Sequence, residues 1–274
     1  MKKIFVAVDF SDPSKNAAKY ALGLAKDITG ASLTLYYTYD VTTAGSDGTP
    51  LFVDDESRKT IALAALHNLK AELGDTGAVR VDVLTEAGNL ASGIEKLAAS
   101  KGIDLLVMGI TGSTRIEQMI IGSNTLTVIN KDVCPVLIVP AEATYKQIRK
   151  AVLTTDLKNV ASTTPVSELT GFLNDLHPQL SVAHVAAEAG DLSEDLLTEK
   201  NTLQKMLAQF NPAFYHIFDP GFINAIDKFV TEYNPDIIIT VPRKHSFFSK
   251  LFTESYTKRL AYHSRLPILA IHSK

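Results

Sequence analysis

The sequence predicts an α/β protein made of two tandem copies of one parallel-sheet domain. Three observations carry this. Short β-rich runs alternate with stretches of helical periodicity, the pattern of βαβ units. The alternation begins again halfway along the chain. The 274 residues suffice for two domains that each bury a core.

Ile4-Phe5-Val6-Ala7-Val8 suits a buried parallel strand. It ends in Asp9-Phe10-Ser11-Asp12-Pro13-Ser14, where Ser11 or Asp12 can cap a helix and Pro13 suits its first turn. Ala17, Ala18, Ala21, Leu22, Leu24 and Ala25 recur at helical spacing, and Gly30 is the stop. Leu33–Tyr39 is a second strand, followed by a loop over Asp40–Pro50 rich in Gly, Thr and Asp. A helix over Asp54–Leu73, a strand over Val79–Thr85, a helix over Asn89–Ser100 and a strand over Asp104–Met108 come next. Ser123–Asn130 is the last helix of this half, and Val136–Val139 its last strand.

The second half repeats the order. Ala151–Asp156 sets beside Ile4–Asp9 at an offset of 147, as Leu180–Ala186 does beside Leu33–Tyr39. From Asp104–Pro140 to Asp236–His272 the offset is 132, so the first half carries 15 extra residues in its β2–α2 region. Identities in that block are few: Asp104/Asp236, Ser123/Ser255, Thr125/Thr257, Pro135/Pro267 and Leu137/Leu269. A repeat this long means two copies of one domain, not a solenoid. The boundaries fall at 1–141 and 148–274, with a polar join near Glu142–Arg149.

Bulk properties exclude several classes. A net charge of -3 offers no electrostatic reason to bind nucleic acid or an anionic membrane. Apolar runs such as Leu105–Met108 and Ile237–Ile239 are too short to span a bilayer. Met1-Lys2-Lys3 leads straight into a strand, unlike a secretory leader. Cys134 is the lone cysteine, which excludes an intrachain disulfide and a multi-cysteine metal site. The expected compartment is the cytoplasm.

The chemistry concentrates in Met108-Gly109-Ile110-Thr111-Gly112-Ser113 and, ten residues on, Gly122-Ser123-Asn124-Thr125. Gly109 and Gly112 follow the carboxyl end of a strand, where open α/β sheets bind ligands. Glycine lets the main chain approach a ligand. Gly122-Ser123 opens a helix whose free N–H groups and dipole suit a phosphate. Two glycines alone would read as tight turns; the full spacing favours a ligand site. No Gly-Lys-Ser/Thr makes it a Walker loop, and its place after the fourth strand separates it from the dinucleotide fingerprint.

Gly109-x2-Gly112-x9-Gly122-Ser123 resembles the nucleotide-binding signature of the universal stress protein family. Val6–Asp9 with Ser11 resembles that family's first strand and acidic turn, Asp104–Gly109 its fourth strand, and Cys134–Val139 its last. The two copies resemble its tandem members. The resemblance implies Rossmann-like, adenine-nucleotide alpha-hydrolase-like domains, each an open parallel five-stranded sheet of order 3-2-1-4-5 with helices on both faces. It implies adenine near Ala7, Val8, Asp9 and Thr38. Ribose and phosphates would run along Met108, Gly109, Gly112, Ser113, Gly122, Ser123 and Asn124. Thr38 stands where a small aliphatic residue is usual, and only its main chain need meet the adenine edge. In relatives the last strands pair across a dimer interface. Here the two copies can make that contact as an intramolecular pseudo-dimer, and a further homodimer stays open.

Asp9 has two readings. It forms a turn or cap, or it bonds ribose or adenine and holds Mg²⁺ beside phosphate. At the aligned positions of the second copy Gly109 becomes Val241, Gly112 becomes Lys244 and Gly122 becomes Glu254. Glu254 puts a carboxylate where phosphate would sit and satisfies the helix dipole internally. The second copy is therefore expected to bind no ATP in the family manner.

Six of seven histidines lie in the second half. His184 at the end of strand two and His216 on strand three should approach Asp156. A polar or metal pocket is one reading; hydrogen-bonded core histidines are the favoured one. Arg243-Lys244-His245, Lys250, Lys258, Arg259 and Arg265 with Phe247, Phe248 and Phe252 read as an apolar helix face with a solvated rim, or as a partner surface.

The expected function is a stress-response signalling module that binds ATP, AMP or ADP, with no catalytic residues. A slow ATP hydrolase, using Asp9, Thr111, Ser113 or Arg115, is the alternative; no nucleophile–base pair supports it. A scaffold without nucleotide is the third reading.

Overall fold

The structure, a computed structural model, describes residues 1–39, 54–110, 123–186, 193–219, 221–242 and 266–272. In the first half the elements are β1 (Lys3–Ala7), α1 (Asp12–Asp27), β2 (Ser32–Tyr39), α2 (Asp55–Glu72), β3 (Arg80–Ala87), α3 (Leu90–Lys101), β4 (Leu105–Ile110), α4 (Ser123–Lys131) and β5 (Val136–Pro140). The second half has β6 (Lys150–Thr155), α5 (Val160–Thr163), α6 (Val166–Leu176), β7 (Gln179–Ala186), α7 (Glu194–Met206), β8 (Ala213–Phe218), α8 (Phe222–Tyr233), β9 (Ile237–Thr240) and β10 (Ile268–Ala270). Ser11, Asp54 and Asn89 cap α1, α2 and α3 by accepting from main-chain amides three residues on.

The strand order is β3-β2-β1-β4-β5-β10-β9-β6-β7-β8. Each half keeps the 3-2-1-4-5 order, and the two five-stranded sheets join edge to edge into one ten-stranded sheet through their last strands, the intramolecular contact that the resemblance implied. β5 and β10 join antiparallel, while the other pairings are parallel. Both strands are fully apolar and buried, so pairing them removes two exposed edges. Leu137 pairs with Leu269 at this join, and these are corresponding residues of the repeat. A pseudo-two-fold axis therefore passes between them.

The sparse identities of the repeat have physical causes. Asp104 accepts from the amides of Lys2 and Lys3 at 2.7 and 2.9 Å, tying down the start of β1. Asp236 accepts from Arg149 and Lys150 at 2.8 and 2.9 Å and does the same for β6. The Pro135 carbonyl accepts from Leu106, and the Pro267 carbonyl from Ile238. Proline removes a donor at both strand entries while its carbonyl starts the ladder.

Alternation along the strands divides the core. Ile4, Val6, Leu33, Leu35, Leu153 and Val182 face α1, α2, α6 and α7; Phe5, Ala7, Leu106, Met108 and Ile238 face α3, α4 and α8. The first layer runs through the two halves without a break, whereas on the other face Val152, Ala183 and Phe229 of the second half form a separate small cluster.

The join between the halves packs tightly. Ala143 and Ile148 are buried. Tyr145 lies over α1, its hydroxyl donating to Asp27 at 2.5 Å and its ring edge-on to Tyr20 at 5.1 Å. A Cβ on Gly23 would stand 2.5 Å from that ring, so only glycine fits there. Asn16 donates to the Pro140 and Ala143 carbonyls. No described helix is long and apolar enough to cross a membrane.

Candidate nucleotide site

The carboxyl ends of β1, β2 and β4 form a mouth in the first half. Ala7 is the last residue of β1, paired with Tyr36 of β2 and Met108 of β4. The Tyr36 carbonyl accepts from Val8 at 2.9 Å, so even-numbered residues of β2 turn their main-chain groups toward β1. Tyr39, an odd residue, accepts from Gly88 on the opposite side. Thr38 lies two residues past Tyr36, where β1 has ended. Its amide and carbonyl thus point into the mouth, able to read the edge of a planar ring. The Thr38 side chain plays no part in this orientation.

Asp9 closes the turn after β1. Its carboxylate accepts from the Ser11 amide at 3.0 Å and the Ser11 hydroxyl at 2.5 Å. Burial would raise its pKa, but the hydrogen bonds from Ser11 and Ser14 outweigh it and hold the group below the usual carboxylate range. The side chain is exposed and ionised, with acceptor capacity left over. Phe10 follows with φ 64, and its ring packs 4.8 Å from that of Tyr37.

The same turn recurs in the second half. Asp156 accepts from the Lys158 amide at 3.2 Å, and Leu157 after it has φ 49. The turn-forming role of Asp9 therefore belongs to the fold and stands independently of any ligand role. Ser14 is part of this turn, and sequence reasoning missed it. It is buried, donates to the Ser11 carbonyl at 3.0 Å and faces the Asp9 amide. Its signal was present as Ser11-x-x-Ser14, a serine at each end of a helix's first turn.

Gly109 is glycine for a reason the sequence did not suggest. A Cβ there would lie 2.3 Å from the Pro13 carbonyl oxygen and 2.9 Å from the Ser14 nitrogen. The residue lets the first turn of α1 press onto β4. Val241, its counterpart, is buried, and around it the equivalent helix is broken. α5 has 4 residues, Pro165 interrupts the path, and α6 begins at Val166. Val241 there lines a small cavity with Thr154, Thr155, Asp156 and Thr164. The glycine and the unbroken helix are one feature, lost together.

Of the other predicted residues, Met108 is buried on β4, Ser123 is the first residue of α4, and Asn124 is exposed in its first turn. Gly112, Ser113 and Gly122 lie outside the described residues, as do Thr111 and Arg115. So do Lys244, Glu254 and the basic, phenylalanine-bearing stretch from Arg243 to Arg265.

His184 and His216 do meet. They pair in register on β7 and β8, with ring centroids 5.5 Å apart. β7 continues two residues past His184, so that residue lies inside the strand rather than at its end. His184 Nδ1 lies 3.1 Å from the Thr155 carbonyl, which fixes the proton on that nitrogen. Burial lowers the pKa of both imidazoles, and they further disfavour charging of His216 through mutual repulsion. Among the described residues no group of three or more histidine, cysteine or carboxylate side chains is arranged to hold a metal.

The universal stress protein family model matches residues 1–140. A universal stress protein of Methanocaldococcus jannaschii is 33% identical over 141 residues, covering 50% of this chain and 81% of that protein. One from Bacillus subtilis is 32% identical over 145 residues, covering 50% of this chain and 97% of its own length. The crystal structure of an Archaeoglobus fulgidus universal stress protein superposes with a TM-score of 0.72. It covers 99% of this chain and 98% of its own at 17% identity, so it matches the whole double fold. With the family model matching half of its length, and relatives at 33% and 32% identity covered over most of their own, the chain belongs to the universal stress protein family.

Proposed function

We propose that the chain is a cytoplasmic stress-response module that binds ATP or AMP in its first half alone. The main chain of Thr38 reads the adenine edge. Asp9, ionised and exposed, takes a hydrogen bond from ribose or adenine. The phosphates run past Gly112 and Ser113 to Gly122, Ser123 and Asn124, where α4 begins and its amides and dipole favour negative charge. Mg²⁺ beside the phosphates would offset repulsion from Asp9. The domains on this reading are 1–141, which binds, and 148–274, which is structural or partner-facing.

One observation carries the reading: Thr38 turns its main-chain groups into the space beyond the end of β1, opposite the glycine-signature strand. The second half keeps the acidic turn but has Val241, Lys244 and Glu254 in place of the three glycines. Calorimetry with ATP tests the assignment. Wild type should bind at one site, and Gly122→Glu should weaken binding at least a hundredfold by placing a carboxylate at the phosphate position. Equal binding by the variant overturns the site.

A further inference from the structure

The ten-stranded sheet ends in two edges, β3 and β8, and they differ in kind. β3 carries Arg80, Asp82 and Glu86, with Arg80 ion-paired to Asp82 and Glu86 to Lys96. Charges of this sort blunt an edge against further pairing. β8 reads Ala-Phe-Tyr-His-Ile-Phe and holds no Lys, Arg, Asp or Glu. Phe218 at its end is 45% exposed. Among the described residues no strand pairs with the outer side of β8.

The main chain of β8 is ordered toward that open side. Asp219 donates to the Ala186 carbonyl at 3.0 Å, so odd-numbered residues here turn their main-chain groups to β7. The even-numbered Phe214, His216 and Phe218 turn theirs outward. Pro212 and Pro220 stand equally far from His216 in the sequence, and neither supplies a donor. Taken at every second position, the run is Pro212, Phe214, His216, Phe218, Pro220, the same in both directions. Phe214 packs on the layer that holds Leu153 and Val182, and Tyr215 and Ile217 pack on the opposite face against Val152, Ala183 and Phe229.

We infer that β8 is a homodimer edge: two copies of the chain pair through it, antiparallel, about a two-fold axis at His216. Such an axis sets His216 against itself, Phe214 against Phe218 of the second copy, and Tyr215 against Ile217 of the second copy. Each outward-turned residue then meets another turned toward it, and the three pairs exchange about six main-chain hydrogen bonds. Apolar side chains meet across the join on both faces, with no charge to repel its copy. The prolines end the run of donors symmetrically. A foreign strand has no reason to match a palindrome, whereas a second copy matches it by symmetry. The chain already makes one join of this kind, between β5 and β10. Pairing β8 with β3 instead would set charged side chains beside phenylalanines. The edge is independent of any nucleotide in the first half.

Sedimentation velocity of the full-length protein tests this. A strand of this length is a small interface, so half-association is expected at about 10–100 μM, with no species beyond the dimer. Phe218→Lys should weaken association at least tenfold and, at an exposed position, leave urea unfolding unchanged. Ile61→Lys, at an apolar residue 66% exposed on α2, should leave the dimer intact. Cross-linking reads the register. With Cys134→Ser as background, Phe214→Cys and Phe218→Cys proteins should form an intermolecular disulfide when mixed but not separately, because a hydrogen-bonded pair holds its Cα atoms about 5.5 Å apart. A monomer up to millimolar concentration overturns the inference. So does a dimer indifferent to Phe218→Lys or lost in Ile61→Lys. A disulfide formed by either cysteine variant alone, or none in the mixture, overturns the two-fold register. Growth beyond the dimer would mean an open head-to-tail contact and overturn it as well.

Discussion

The two halves share one backbone plan and differ at the places where a ligand or a neighbour needs side-chain atoms out of the way. In the first half Gly109 admits the first turn of α1, and Gly23 admits Tyr145. In the second half Val241 stands beside a helix broken at Pro165, and Gly171 faces an open cavity. What both halves retain is scaffolding: the Asp9 and Asp156 turns, and the Asp104 and Asp236 anchors. The difference teaches that the acidic turn belongs to the shared fold and does not by itself distinguish the halves. The discriminating residues are those without a Cβ.

The comparison can be broken most sharply at Gly109. Gly109→Val should destabilise the protein by about 3 kcal/mol, because main-chain atoms of α1 cannot yield as a flexible side chain could. Val241→Gly should cost about 2 kcal/mol through lost burial and a cavity. Urea unfolding measures both, and a neutral Gly109→Val would contradict the packing role. The helix glycines should give opposite signs. Gly23→Ala should destabilise by about 1–3 kcal/mol against the Tyr145 ring. Gly171→Ala should stabilise by about 0.5–1 kcal/mol, as expected for an unobstructed helix position. Equal signs would deny that the Tyr145 ring crowds Gly23 while Gly171 faces open space.

A smaller, one-sided effect is pH dependence in the second half. His184 and His216 are held neutral in the fold by burial, with lowered pKa values. The unfolded chain takes up protons first, near its ordinary value of about 6.5. Stability is therefore complete above that pH and declines as pH falls below it. His272 is lowered by burial too and adds to the same slope, with Asp132 opposing. A His184→Asn, His216→Phe double variant should flatten part of the decline between pH 7 and pH 5. An unchanged slope would mean the pair is not the source.

Much of the architecture was legible because it rests on local chemistry. Short apolar runs, helical periodicity and the Ser11 cap placed the elements of the first half to within a residue or two, while the break between α5 and α6 in the second half went unread. The identities Asp104/Asp236 and Pro135/Pro267 looked incidental in sequence and proved to anchor both strand entries. The union of β5 and β10 was legible only through the family resemblance, since no local pattern encodes an encounter of two apolar edges. Two further features escaped. The contact of Gly109 with Pro13 spans nearly a hundred residues, and a glycine's sequence neighbours do not say which atoms replace its side chain. The join over Glu142–Arg149 read as polar, yet Tyr145 and Ile148 pack it down. At the mouth, sequence supplied the glycine spacing, and the structure added the orientation of Thr38 and the role of Ser14.

The central claim is asymmetry: one half binds nucleotide and the other does not. Equilibrium dialysis of the intact chain against ATP, counting nucleotides bound per polypeptide at saturation, tests it directly. The account predicts one. Two would show that a mouth with Val241, Lys244 and Glu254 still serves, and none would remove the nucleotide from the first half as well.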